Sequence, residues 1–92
     1  MSIEEKIGQL VQKNADFNNL EEMVRSGKVG SVINEVNPER ILKLQKIAVE
    51  ESRLGIPLLI GRDVIHGFRT IMPIPLAQAA TWNPELVEKG AR

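Results

Sequence analysis

The 92-residue sequence predicts an α/β fold of parallel βα units, and three observations carry that prediction. Two short apolar stretches, VGSVIN (29–34) and PLLIG (57–61), read as buried strands. The stretch between them, 38–54, keeps its apolar residues at helical spacing. Two strands joined through a long helix are most simply set side by side and parallel, by a right-handed crossover.

Taken in order, the chain opens with a capping box, Ser2 at the N-cap and Glu5 three residues on. Ile3, Ile7, Leu10 and Val11 then recur at helical spacing, which predicts a helix over 2–12 whose one apolar face, with that of 38–54, covers one face of the sheet. KNADFNN, 13–19, reads as a polar break. A short helical turn with Leu20, Met23 and Val24 follows, and Gly27 is placed to stop it in a left-handed conformation. The strand 29–34 comes next. Asn37-Pro38 opens the long helix, with Asn as N-cap and Pro at the first helical position. Ile41, Leu44, Ile47, Ala48 and Leu54 form its inner face, while Glu50, Glu51 and Arg53 fall outside. Gly55 ends it and Pro57 prevents continuation. PLLIG is apolar almost throughout, the pattern of a strand covered on both faces. The polar stretch after it reads as loop, and Asn83-Pro84 starts a final helix that runs to Arg92.

Composition narrows the function classes. One modest core fits this length, and two domains do not. Twelve basic and twelve acidic residues cancel, so nothing draws the chain to nucleic acid or anionic lipid. The absence of cysteine excludes a disulfide scaffold and a thiolate nucleophile. A single histidine makes a self-contained metal site unexpected, and neither metal nor cofactor is expected. The acidic, amphipathic start reads as neither signal peptide nor membrane span, and no run reaches the ~20 apolar residues of a spanning helix.

Residues that can do chemistry gather after the second predicted strand. In parallel α/β folds ligands collect at the C-terminal ends of the strands, where the βα loops converge. PLLIG runs straight into Gly61-Arg62-Asp63, which puts Asp63 on that rim, and Asn34 and Glu35 end the first strand on the same side. A carboxylate there accepts hydrogen bonds from hydroxyl groups, as sugar-binding sites require. His66 can donate or accept, and Arg69 offers forked donors to the Asp or to a ligand. Plainer roles stand beside these. Asp63 equally suits a loop-closing residue bonded to nearby amides, His66 a satisfied structural side chain, and Arg69 a surface ion-pair partner. Trp82 can stack on a sugar, but just before the Asn-Pro helix start it is expected to pack a loop against the core.

The stretch SRLGIPLLIGRDVIHGFRTIMPIPLAQAATWNPELVEKGAR, 52–92, resembles the N-terminal barrel domain of glycoside hydrolase family 3, on the β-glucosidase branch. The resemblance rests on S-R-L-G-I-P-L-L, on a strand ending in the Asp of D-V-I-H-G, on a P-I-P element and on a W-N-P-E-L helix start. SIEEKIGQL and GKVGSVIN are similar to the family's opening helix and first strand. The related N-acetylglucosaminidase branch would carry D-Q-E-G-G-R where this chain has D-V-I-H-G. Met72, where Phe is usual, and Arg62, where an apolar residue is common, depart from the pattern.

The resemblance implies a (β/α)8 barrel, a fold of roughly 250 residues. Residues 1–92 would supply its first two strands, as the N-terminal part of a truncated barrel domain. It makes Asp63 the glycone-binding carboxylate, and Asp63, His66 and Arg69 are the expected substrate-binding residues. No catalytic residue is expected within the chain. A retaining glycosidase needs a nucleophile and an acid/base carboxyl about 5 Å apart, and in the family both lie later in the sequence. The implied activity is hydrolysis of terminal β-D-glucosyl residues by a retaining enzyme, often periplasmic or extracellular. The substrate would be a β-glucoside or oligosaccharide. The alternative is a non-catalytic assembly module or engineered βα scaffold. Either way the isolated chain is expected to form a homo-oligomer.

Overall fold

A computed structural model describes all 92 residues. Its elements are α1 (Ile3–Leu10), β1 (Gln12–Asn14), α2 (Leu20–Arg25), β2 (Ser31–Ile33), α3 (Pro38–Lys46), β3 (Leu59–Gly61), α4 (Pro75–Ala79) and α5 (Pro84–Ala91). The strands form one parallel sheet in the order β1-β2-β3, with Lys13, Val32 and Ile60 in register. The α/β class and the parallel pairing are as the sequence predicts. The strand number is not: there are three strands, and the additional one is β1.

β1 lies in the stretch that reads as a polar break. Gln12, Lys13 and Asn14 carry no strand signal of their own; pairing with β2 makes them a strand. Val11 leaves the helix in extended conformation. Its carbonyl accepts from the Gly30 and Ser31 amides at 3.1 and 3.2 Å, and the Ala15 amide donates to Ile33 O at 2.9 Å. The first helix therefore stops at Leu10 rather than at residue 12. Its capping box is present, with Ser2 Oγ accepting from Glu5 N and Glu5 Oε2 accepting from Ser2 N.

Gly27 and Asn37 act on their helices as predicted, but the long helix ends at Glu51, where Ser52 turns extended, and so stops short of Leu54 and of Gly55. Gly27 sits at φ 71° after α2, and the amides of Gly27 and Lys28 donate to Val24 O and Met23 O, a Schellman ending. Asn37 Oδ1 accepts from the Glu39 and Arg40 amides at the start of α3. Past Lys46 that helix widens into a single π turn, Ile47–Glu51, in which Ser52 N donates to Ile47 O. Gln45 contributes a clamp the sequence did not announce. Its side-chain amide donates to Leu58 O and accepts from Leu58 N, both at 2.8 Å, and so fastens the entry to β3.

The core lies between the sheet and the pair formed by α2 and α3. Leu44, Val24 and Val32 are fully buried there, with Leu20, Ile47, Ala48 and Leu58 around them. Each of the Leu, Ile and Val side chains contributes about 1.5–3 kcal/mol by leaving water. Successive strand residues face opposite sides, so Gln12, Asn14, Ser31, Ile33, Leu59 and Gly61 share the other face. No helix of the chain covers it, and Leu59 is 72% exposed. PLLIG is thus covered on one face, not on both.

Two further expectations fail. The Ile3, Ile7 and Leu10 stripe of α1 exists but faces outward, because α1 docks through Gly8. A Cβ there would lie 2.0 Å from Gly27 O. Trp82 does not pack against the core; it is 93% exposed, at φ 53°. The expected loop after β3 contains α4, which packs on α5. Asn83 caps α5 by accepting from Leu86 N, as predicted. No helix is long and apolar enough to cross a membrane.

Candidate functional site

Because the strands are parallel, their C-terminal ends share one rim. Asn14 ends β1, Asn34 follows β2, and Arg62-Asp63 follow β3. These residues, with His66 and Phe68 from the succeeding loop, line a cleft of about 330 Å³. A second hollow, between α4 and α5, is lined by Met72, Ala77, Leu86 and Val87 and by no titratable group. Of the two, only the rim cleft is lined by titratable side chains.

Asp63 is held from both sides. Its amide donates to Asn34 Oδ1 at 3.0 Å, and its Oδ1 accepts from Ile65 N at 3.3 Å. The loop-closing role is therefore real, but it uses only one carboxylate oxygen. The side chain is exposed to the cleft, so the second oxygen is available to a ligand.

His66 lines the same cleft, and its carbonyl accepts from Met72 N at 2.7 Å, which closes the loop backbone. That closure needs Gly67, at φ 86°, where a Cβ would meet Thr70 O at 1.9 Å. Arg69 is exposed and does not line the cleft. Of the three expected binding residues, the structure brings Asp63 and His66 together and leaves Arg69 outside.

Glu35 does not join the rim as the sequence suggested. It turns into the protein, 7% exposed, where Oε1 accepts from the Val36 and Asn37 amides at 2.9 and 3.0 Å. Its Oε2 lies 3.1 Å from Arg40 Nη1, close enough for an ion pair but not aligned as a hydrogen bond. Arg40 also donates to Ala15 O at 2.6 Å, so this pair ties the ends of β1 and β2 together. Asp63 is the only carboxylate lining the cleft.

Arg62 is a cleft residue that spacing did not single out. Its guanidinium lies 4.2 Å from the centroid of the Phe68 ring, and Nη1 donates to Asn34 O at 3.4 Å. Stacking of this kind holds a cation over an aromatic face. Asn14 was missed because the strand that delivers it was missed.

Residues 2–92 match the family described as glycosyl hydrolase family 3 N terminal domain. The chain is 38% identical over 96 residues to a periplasmic beta-glucosidase of Salmonella typhimurium, with all of the chain and 12% of that protein covered. It is 29% identical over 92 residues to a beta-xylosidase of Formosa agariphila, covering 89% of the chain and 13% of that protein. The chain thus spans about an eighth of the length of these relatives. Its parallel α/β architecture and the match over residues 2–92 place the chain in the glycosyl hydrolase family 3 N-terminal domain family.

Proposed function

We propose that this domain forms part of the glycone-binding rim of a retaining β-glucosidase, with Asp63 gripping hydroxyls of the terminal glucosyl ring. The observation that carries the reading is the state of Asp63: anchored at the end of β3, with one carboxylate oxygen uncommitted beside a polar cleft. His66 is the second contact, as donor or acceptor. Arg69 stands outside the cleft and is the peripheral contact of this proposal. The more similar relative is named for glucosides and the other for xylosides, which favours a β-glucoside substrate.

Retention requires one carboxylate to attack the anomeric carbon and a second carboxyl to protonate the leaving oxygen. The cleft offers one carboxylate, already bound to the loop backbone. In this proposal Asp63 therefore binds and orients, and other parts of the enzyme supply the catalytic pair. A self-associating module is the second reading, supported by the apolar side chains that α1, β3 and α4 expose.

The test is Asp63→Ala in the intact glycosidase that carries this domain. A charge-assisted hydrogen bond is worth about 1.5–3 kcal/mol, so losing two predicts a fall in kcat/KM of roughly two to four orders of magnitude. Hydrolysis of 4-nitrophenyl β-glucoside, with circular dichroism as the control for folding, measures it. Near-normal activity in the folded variant would reduce Asp63 to a loop-closing residue.

A further inference from the structure

We infer that Asn34 is the positioning residue for Asp63: it sets the carboxylate by bonding, from the neighbouring strand, the backbone that carries it. The inference rests on the glycone-binding role proposed for Asp63. Asn34 makes three hydrogen bonds to the segment 61–63. Its amide donates to Gly61 O at 2.9 Å, its Oδ1 accepts from Asp63 N at 3.0 Å, and its carbonyl accepts from Arg62 Nη1 at 3.4 Å.

The first of these is the last rung between β2 and β3. Beyond it the two backbones diverge, because Asn34 turns at φ 68° toward the start of α3. The Asn34 side chain then supplies the acceptor that a further strand residue would have supplied. Asp63 N–H is thereby held although the ladder has ended.

The residue type fits this task. Glycine adopts that φ at no steric cost but has no acceptor to offer. Asparagine tolerates the left-handed region better than other side chains and carries a carbonyl oxygen at the right reach. Asn34 also lines the cleft, and its Nδ2 group makes no hydrogen bond to the protein. Small displacements of a positioning group are costly: an error of about 1 Å can lower a rate roughly a hundredfold.

The experiment uses the intact glycosidase with Asn34→Gly, Asn34→Asp and Asp63→Asn. It measures kcat and KM on 4-nitrophenyl β-glucoside, the inhibition constant of glucose, and Tm. Asn34→Gly keeps the backbone conformation and deletes the acceptor; it is expected to lower kcat/KM roughly tenfold or more. Glucose inhibition should weaken in parallel, with Tm within a few degrees of the parent. Asn34→Asp keeps Oδ1 and should recover part of the loss; if the glycine variant does not fold, Asn34→Ala, which also deletes the acceptor, takes its place in the comparison. If Asp63→Asn is crippled while Asn34→Gly stays within twofold of wild type, the positioning role is overturned and the binding role of Asp63 stands. A fall in Tm with kcat/KM of the folded enzyme unchanged overturns the positioning role in the same way. If Asp63→Asn is itself unimpaired, the underlying reading fails and this inference with it.

Discussion

Glu5 and Arg53 show how one pair of side chains ties distant parts of the sequence together. Arg53 donates from Nε and Nη2 to the two oxygens of Glu5 at 2.7 and 2.5 Å, fastening α1 to the segment after α3. The Arg53 guanidinium, and after it the Ser2 amide, pull the Glu5 pKa from 4.5 down to about 2. A carboxyl with a lower pKa in the folded state stabilises the fold fully above about pH 4.5, and loses that contribution as pH falls toward 2. Glu5→Gln should therefore flatten the decline in stability between pH 4.5 and 2, measured by urea melts across that range. Parallel declines in the two proteins would refute it. Glu35 makes the contrasting case, since it is buried and depends on Arg40. Arg40→Ala leaves that carboxylate without its cation and is expected to cost about 1–3 kcal/mol in the same assay.

At the scale of elements, α1 and α3 dock by different means. α3 buries Leu44 as its terminal turn buries Ile47 and Ala48, in the familiar manner of an amphipathic helix. α1 instead presses Gly8 against the backbone at Gly27 and Lys28. Gly8→Ala would place a methyl group 2.0 Å from Gly27 O, against backbone atoms rather than a flexible side chain. The helix must shift. Despite the better helix propensity of alanine, the expected result is a loss of about 1–3 kcal/mol, read as a lower urea midpoint. An unchanged or higher midpoint would show that α1 is free to move. Leu42→Ala, on the exposed side of α3, should change the midpoint little by comparison.

The molecule as a whole is elongated. Its Cα radius of gyration is 17.3 Å, whereas a compact chain of this length has about 12 Å. Its accessible surface is 6936 Å², against about 5,400 Å² for a folded monomer of 10.3 kDa. The difference, roughly 1,500 Å², is about twice the ~800 Å² that one partner buries in a standard protein interface. Leu10, Leu59, Ile71, Leu76 and Trp82 are all prominent in it, and the outer edges of β1 and β3 are unpaired. The expected outcome for the isolated chain is self-association, and sedimentation equilibrium at micromolar concentration measures it. A folded, cooperatively melting monomer would overturn that expectation. The same chain should not hydrolyse aryl β-glucosides above background, because its cleft holds a single carboxylate.

The sequence by itself determined what local chemistry decides. Ser2, Asn37 and Asn83 cap helices wherever the chain goes, Gly27 stops one, and the apolar spacing of 41–48 selects a buried helical face. The end of the second predicted strand likewise put Asp63 on the rim, since strand direction follows once the pairing is parallel. Tertiary structure alone decided what depends on partners distant in the chain. β1 is a strand because β2 offers its edge, and no property of Gln-Lys-Asn foretells that. Glu35 turns inward because Arg40 and two amides await it, although its position beside Asn34 looked like the rim. The outward stripe of α1 follows from Gly8, whose small size permits a contact that periodicity does not register. Hydrogen-bond caps and apolar spacing act within a few residues and are legible along the sequence. Strand pairing, burial of charge and helix docking are contests between distant segments, and only the folded chain records which of them prevailed.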